Sequence, residues 1–110
     1  MCIFCNIIEG EIPSEKVYED ETCIIIKDIE PIAPIHLLMI PKKHYARLED
    51  ASVSEAMELS FMLNKLAQIK DDLGLQNGYR IVINQGKDGG QTVEHLHIHI
   101  LGGRPLSWQA

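Results

Sequence analysis

Five of the 110 residues are histidine, and three of them fall in one run, His95-Leu96-His97-Ile98-His99-Ile100. Imidazole titrates nearest neutral pH and, when neutral, serves as nucleophile, proton acceptor or metal ligand. Strict alternation with apolar residues is what a half-buried β-strand requires, because successive side chains point to opposite faces. Leu96, Ile98 and Ile100 then enter a core while the three imidazoles share the other face. Serine, threonine or lysine would solvate such a face equally well, so three histidines call for chemistry. Strand geometry limits that chemistry. At about 3.3 Å per residue, the Cα atoms of His95 and His99 lie ~13 Å apart, too far for one ion with bonds near 2 Å. At most one or two of the three are metal ligands. Cys2 and Cys5 form a second group, at the two-residue spacing that lets both thiolates grip one Zn²⁺. A redox pair has the same spacing, but such motifs follow a strand and open a helix, and no strand is expected before residue 2.

The segment that delivers the histidines is Asn84-Gln85-Gly86-Lys87-Asp88-Gly89-Gly90-Gln91-Thr92. Glycine lets backbone amides approach an anion closely, and Gln91 and Thr92 add side-chain donors. A donor-rich loop leading into a row of imidazoles places a phosphate beside a nucleophile.

The elements that must position these groups follow from periodicity. Residues 17–19 and 22–27 read as two strands of a hairpin around Asp20-Glu21. Residues 31–34 form a proline-restricted loop, and 36–40 a buried strand stopped by Pro41. Ser52-Val53-Ser54-Glu55 has capping-box spacing and opens a helix. Leu59, Met62, Leu63, Leu66, Ile69 and Leu73 form its apolar face, and Gly74 supplies a left-handed stop. Met57 and Phe61 lie off that stripe, as ordinary exposed residues or as a subunit contact. Residues 79–83 make a fourth strand and the histidine run the fifth. The expected fold is a single α+β domain over residues 1–110, a mainly antiparallel five-stranded sheet with one long helix packed on it.

Composition narrows the function classes. A formal net charge of −6 argues against a nucleic-acid-coating role, which needs a basic surface. No run approaches the ~18 apolar residues of a membrane span. Met-Cys-Ile-Phe-Cys-Asn lacks the basic start of a signal peptide, and an odd count of three cysteines argues against a disulfide framework. The expected location is cytoplasmic. Cys23, within an apolar run, reads as a small buried hydrophobe.

Taken together, these residues resemble the histidine triad (HIT) superfamily of nucleotide hydrolases and transferases. His95-Leu96-His97-Ile98-His99-Ile100 fits the family signature, and Gly89-Gly90-Gln91-Thr92-Val93, Leu101-Gly102-Gly103-Arg104 and Trp108 resemble its HINT branch. Ile12-Pro13, Tyr18-Glu19-Asp20, Asp28-Ile29, Ala33-Pro34-Ile35-His36 and Ile40-Pro41-Lys42-Lys43-His44 match as well. Thr92 stands where serine is usual, keeping the hydroxyl and adding a methyl. Glu94 stands where an aromatic or apolar residue is common.

The resemblance implies hydrolysis of nucleoside 5′-phosphoramidates to a purine nucleoside monophosphate and an amine. His97 would attack phosphorus, with His99, His36 and Thr92 as the proton-donor candidates. Asp28 would hold the ribose, Ile29 the base, and Asn84, Gly90, Gln91, Thr92 and His99 the phosphate. Zinc-containing relatives pair the two cysteines with histidines at the positions of His44 and His95, leaving His97 free. The family also implies a symmetric homodimer that extends the sheet. Two other readings share the signature: a dinucleoside polyphosphate hydrolase or nucleotidyl transferase, and a nucleotide-binding scaffold with vestigial activity.

Overall fold

A computed structural model describes residues 2–108 of the chain. Its sheet has five antiparallel strands, β1 (Lys16–Glu19), β2 (Cys23–Lys27), β3 (Ile35–Pro41), β4 (Tyr79–Val82) and β5 (Ile98–Gly102), in the spatial order β1-β2-β3-β5-β4. Two helices accompany it: α1 (Ile3–Ile8) at the N-terminal end and the long α2 (Val53–Ile69) between β3 and β4. The α+β, five-stranded, one-long-helix expectation therefore holds.

The central strands read Cys-Ile-Ile-Ile-Lys and Ile-His-Leu-Leu-Met-Ile-Pro because both faces of β2 and β3 are covered. On one face Cys23, Ile25, Leu37, Met39, Leu96, Ile98 and Ile100 pack against Leu59, Met62 and Leu66 of α2. On the other, Ile24, Ile26, Leu38 and Ile40 pack against Phe4 and Ile7 of α1. The capping box forms as expected: Ser52 Oγ accepts from the Glu55 amide, and the Glu55 carboxylate accepts from the Ser52 amide.

Three local expectations change. The fifth strand begins at Ile98, so His95 and His97 lie in an extended approach to the ladder instead of inside it. Alternation nevertheless persists through the approach, since Leu96 and Ile98 both reach the α2-side core. The expected long helix stops at Ile69 and tightens into a 3₁₀ turn, Lys70–Leu73, before Gly74 at φ 79°. A tighter last turn is a common way to use up orphan carbonyls. Helix α1 was not foreseen. Six residues rich in β-branched side chains fall below the length at which a helix sustains itself, so only packing on the sheet makes it.

Candidate functional site

His36, on β3, points to the same face as Leu38 and Ile40. Strand pairing sets Leu38 opposite His99 and His36 opposite Leu101, which makes His36 and His99 diagonal neighbours. His95, His97 and His36 are all buried, at 0%, 5% and 7% exposure, which rules out a merely solvated stripe. Buried ring nitrogens need partners, and those partners assign the protons.

His97 Nδ1 lies 2.8 Å from the His95 carbonyl. A carbonyl only accepts, so Nδ1 carries the proton and Nε2 keeps its lone pair. The Ile32 amide donates to His36 Nδ1 at 3.1 Å, which places the His36 proton on Nε2. That one N–H faces both His99 Nδ1 at 3.0 Å and Asp28 Oδ2 at 3.2 Å. The Asp28–His36 contact is accordingly a hydrogen bond and not an ion pair. Asp28, His36 and His99 also cluster closely enough to hold a cation. The Nε2 proton of His36 occupies the position such an ion would need. Burial pushes the His99 imidazole below its ordinary value, with His97 and His36 adding to the effect and Asp28 opposing it. Neutral, and accepting at Nδ1 from His36, His99 presents Nε2–H.

His36 and His99 border a cleft of about 590 Å³ lined also by Asp28, Ile29, Ile32, Asn84, Gly90 and Thr92, among others. The His97 ring is the neighbour of His99, with centroids 5.2 Å apart. The loop that forms one side depends on its glycines. Gly86 and Gly90 take φ values of 71° and 82°, and a Cβ on Gly89 would collide with the Gln85 carbonyl. Asn84 Nδ2 donates to the Gly89 carbonyl, closing the turn.

Gln91 has a different place from the one expected of it. Its Oε1 accepts from the Gly86 amide at 2.9 Å, and its Nε2 donates to the carbonyls of Ala46 at 2.7 Å and Val93 at 3.1 Å. All its side-chain hydrogen-bonding groups are thus engaged in the loop's own framework. Gln85 adds a second bolt, accepting from the Leu48 amide at 2.8 Å. The loop is pinned to residues 46–48 by two glutamines.

A separate group lies at the end of the sheet beneath α1. Donor atoms of Cys2, Cys5, His44 and His95 all fall within 4.8 Å of one another. His95 Nε2–H donates to the Pro41 carbonyl at 2.8 Å, which leaves the Nδ1 lone pair facing the thiols. Tetrahedral zinc with ordinary bond lengths separates two nitrogens by about 3.3 Å and a nitrogen from a sulfur by about 3.6 Å. Here His44 Nδ1 and His95 Nδ1 are 3.1 Å apart, and three of the four sulfur–nitrogen separations are 3.3, 3.4 and 3.6 Å. The Cys5 amide also donates to Cys2 Sγ at 3.4 Å. The donor set fits a tetrahedral Cys₂His₂ ion. The cysteine pair does open a helix, Cys2 being the N-cap of α1. With His44 and His95 beside it, the pair has the surroundings of a ligand set.

Sequence reasoning missed Phe4. It packs edge-to-face on both His95 and His97, with ring centroids 5.9 and 5.1 Å away. An apolar residue between two cysteines offered no signal of that contact without α1.

Burial lowers the imidazoles of both His95 and His99 from the ordinary 6.5. The unfolded chain therefore takes up protons on these rings at a higher pH than the folded one. The stability they contribute is complete above about pH 6.5 and is lost as the pH falls through the folded-state values. In metal-free protein the urea midpoint is expected to drop between about pH 7 and 5, and a His99→Gln variant should show a shallower drop over that range.

Comparison with known proteins agrees with this architecture. Residues 9–106 match the HIT domain family. An uncharacterized HIT-like protein of Synechocystis is 49% identical over 106 residues, covering 96% of this chain and 93% of its own. The crystal structure of a HIT family hydrolase from Legionella pneumophila superposes with a TM-score of 0.91 at 43% identity, covering 98% of this chain and 97% of that one. A zinc-bound histidine triad protein from Mycobacterium smegmatis does so with a TM-score of 0.80 at 36% identity, covering 94% and 75%. With the family match running from the end of α1 past β5, the chain belongs to the HIT family.

Proposed function

We propose that the protein hydrolyses nucleoside 5′-phosphoramidates by way of a nucleotidyl-histidine intermediate on His97. The observation that carries the reading is the His97 Nδ1–H bond to the His95 carbonyl, which puts the lone pair of the neutral ring at Nε2. A neutral imidazole attacks phosphorus without a separate strong base, and the covalent route divides one difficult displacement into two easier ones. The cleft beside it holds complementary groups. Asp28 offers carboxylate oxygens to ribose hydroxyls, Ile29 and Ile32 offer apolar surface to a purine base, and Asn84, Gly90, Thr92 and His99 line the phosphate end.

In the first step His97 Nε2 bonds to phosphorus as the P–N bond breaks, and the leaving amine takes up a proton. The cleft supplies two donors for it, the Thr92 hydroxyl and His99 Nε2–H. In the second step water displaces His97, giving a proton back to the donor that protonated the amine, and the nucleoside monophosphate leaves. His36 contributes by holding His99 in the tautomer that donates toward the phosphate. Replacement of His97 by alanine is expected to lower turnover of adenosine monophosphoramidate by at least about a thousandfold. It should also abolish the acid-labile nucleotidyl adduct that rapid quenching traps on the wild type. Normal turnover by that variant would end the mechanism.

Cys2, Cys5, His44 and His95 are proposed as ligands of a structural zinc ion, supported by the tetrahedral spacing of their donors and the zinc-bound relative. Bound zinc supplies folding energy by cross-linking the N-terminal arm to the catalytic segment. Protein purified without chelator or polyhistidine tag is expected to carry about one zinc per chain. Cys5→Ser should lose most of it and unfold at lower temperature. Substantially less than one ion in the wild type, with both thiols free to react, would refute the assignment.

A homodimer is supported by two surfaces. Strand β4 is an outer strand of the sheet and carries an exposed Ile81, while Val53, Met57 and Phe61 form an exposed apolar stripe at four-residue steps on α2. Sedimentation should show a dimer at micromolar concentration, and Phe61→Glu should shift it toward monomer. A wild-type monomer under those conditions counts against the proposal.

A further inference from the structure

Helix α1 is held at its start by the metal-ligand group. Cys2 is its N-cap and Cys5 stands one turn further on, so two of the four donors bracket the first turn. Phe4 lies between them and is only 7% exposed. Its ring meets His97 at 5.1 Å and 70°, and His95 at 5.9 Å and 82°. Both are the tilted, edge-to-face arrangements that aromatic pairs prefer. The His97 ring is also flanked by His99, with a centroid separation of 5.2 Å and an interplanar angle of 65°. The Nδ1 hydrogen bond anchors one nitrogen of His97 and leaves the tilt of its plane to these two neighbours. His99 is fixed through His36. Phe4 is carried by α1, a six-residue helix that holds no conformation without external support, here its packing on Ile24, Ile26, Leu38 and Ile40 and the cysteine contacts at its start.

We propose that Phe4 is a positioning residue for His97, and that the Cys2–Cys5–His44–His95 group, when it holds its ion, acts on the nucleophile through that ring. Cross-linking Cys2 and Cys5 to His44 and His95 seats the first turn of α1, and the seated turn presses Phe4 against His97. The inference rests on the reading of His97 as nucleophile. It adds to a structural ion a mechanical route to the reacting nitrogen.

The test uses the full chain, with zinc as the probe, as wild type, Phe4→Ala and Phe4→Leu. Proton–carbon correlation spectra of the histidine Cε1–H groups report each ring separately. Zinc added to chelated wild type is expected to shift the His97 signal along with those of His44 and His95. In Phe4→Ala the ligand signals should still respond while the His97 response is lost. Single-turnover transfer of the nucleotide to His97 should slow about 10- to 100-fold in Phe4→Ala, with affinity for adenosine monophosphate unchanged. Phe4→Leu, which fills the same space, should fall between the two and provides the comparison if the alanine variant does not fold. Chelation should slow the wild type by a similar factor and slow Phe4→Ala little further. An equal His97 response to zinc with and without the Phe4 ring would overturn the proposal, as would equal slowing of both proteins by chelation. If the wild type transfers no nucleotide at all, the functional reading fails, and the spectra still decide the coupling.

Discussion

Burying three imidazoles in a mostly apolar layer constrains everything else at this site. A polar ring nitrogen removed from water without a partner costs about 1–3 kcal/mol, so each must be met by a specific donor or acceptor. The partners found are backbone groups: the Pro41 carbonyl for His95, the His95 carbonyl for His97 and the Ile32 amide for His36. Because a carbonyl only accepts and an amide only donates, each contact also chooses a tautomer. His95 turns a lone pair toward the thiols, and His97 keeps one at Nε2. His36 presents a proton to His99. Three rings of the same chemistry acquire three roles from the backbone around them.

The same constraint explains why the sheet is covered on both sides. Residues of one parity in the 95–100 segment join the α2-side core, where Leu96, Ile98 and Ile100 are fully buried. Residues of the other parity would face water if α2 were the only cover. Helix α1 closes that face with Phe4 and Ile7 and keeps the dielectric low around His95 and His97. A short helix of modest propensity thus carries a disproportionate share of the site. Its own order depends on packing against the sheet and on the contacts of the cysteines at its start.

The glycine-rich loop before the histidines is held in place for a related reason. Gly86 and Gly90 allow the backbone to turn where other residues would be strained, and Gln85 and Gln91 then tie it to residues 46–48. Those residues follow His44 directly, and the Leu96 amide donates to the Tyr45 carbonyl at 2.8 Å. Loop, metal-ligand segment and histidine approach therefore share one hydrogen-bonded frame. A group that looks like a ligand contact in isolation, such as the Gln91 amide, can belong to the frame instead.

Much of this was legible in the residues themselves. Period-two alternation sent the histidines to one face, the apolar runs marked β2 and β3, and Ser52 with Glu55 announced α2, because these signals depend on local geometry. Strand bounds differ where the ladder, and not the pattern, decides: the alternation starts at His95, but pairing starts only at Ile98. Helix α1, the contact of Phe4 with His97 and the inward commitment of Gln91 left no local trace. Each arises between segments well separated in the chain, α1 from β2 and β3, Phe4 from His97 and Gln91 from Ala46, where sequence spacing says nothing about distance. What the sequence alone determined is which residue types can do chemistry and which face they share. Which nitrogen of each histidine is free to do it was decided only by the tertiary structure, because a tautomer is chosen by whatever backbone group the fold brings within about 3 Å.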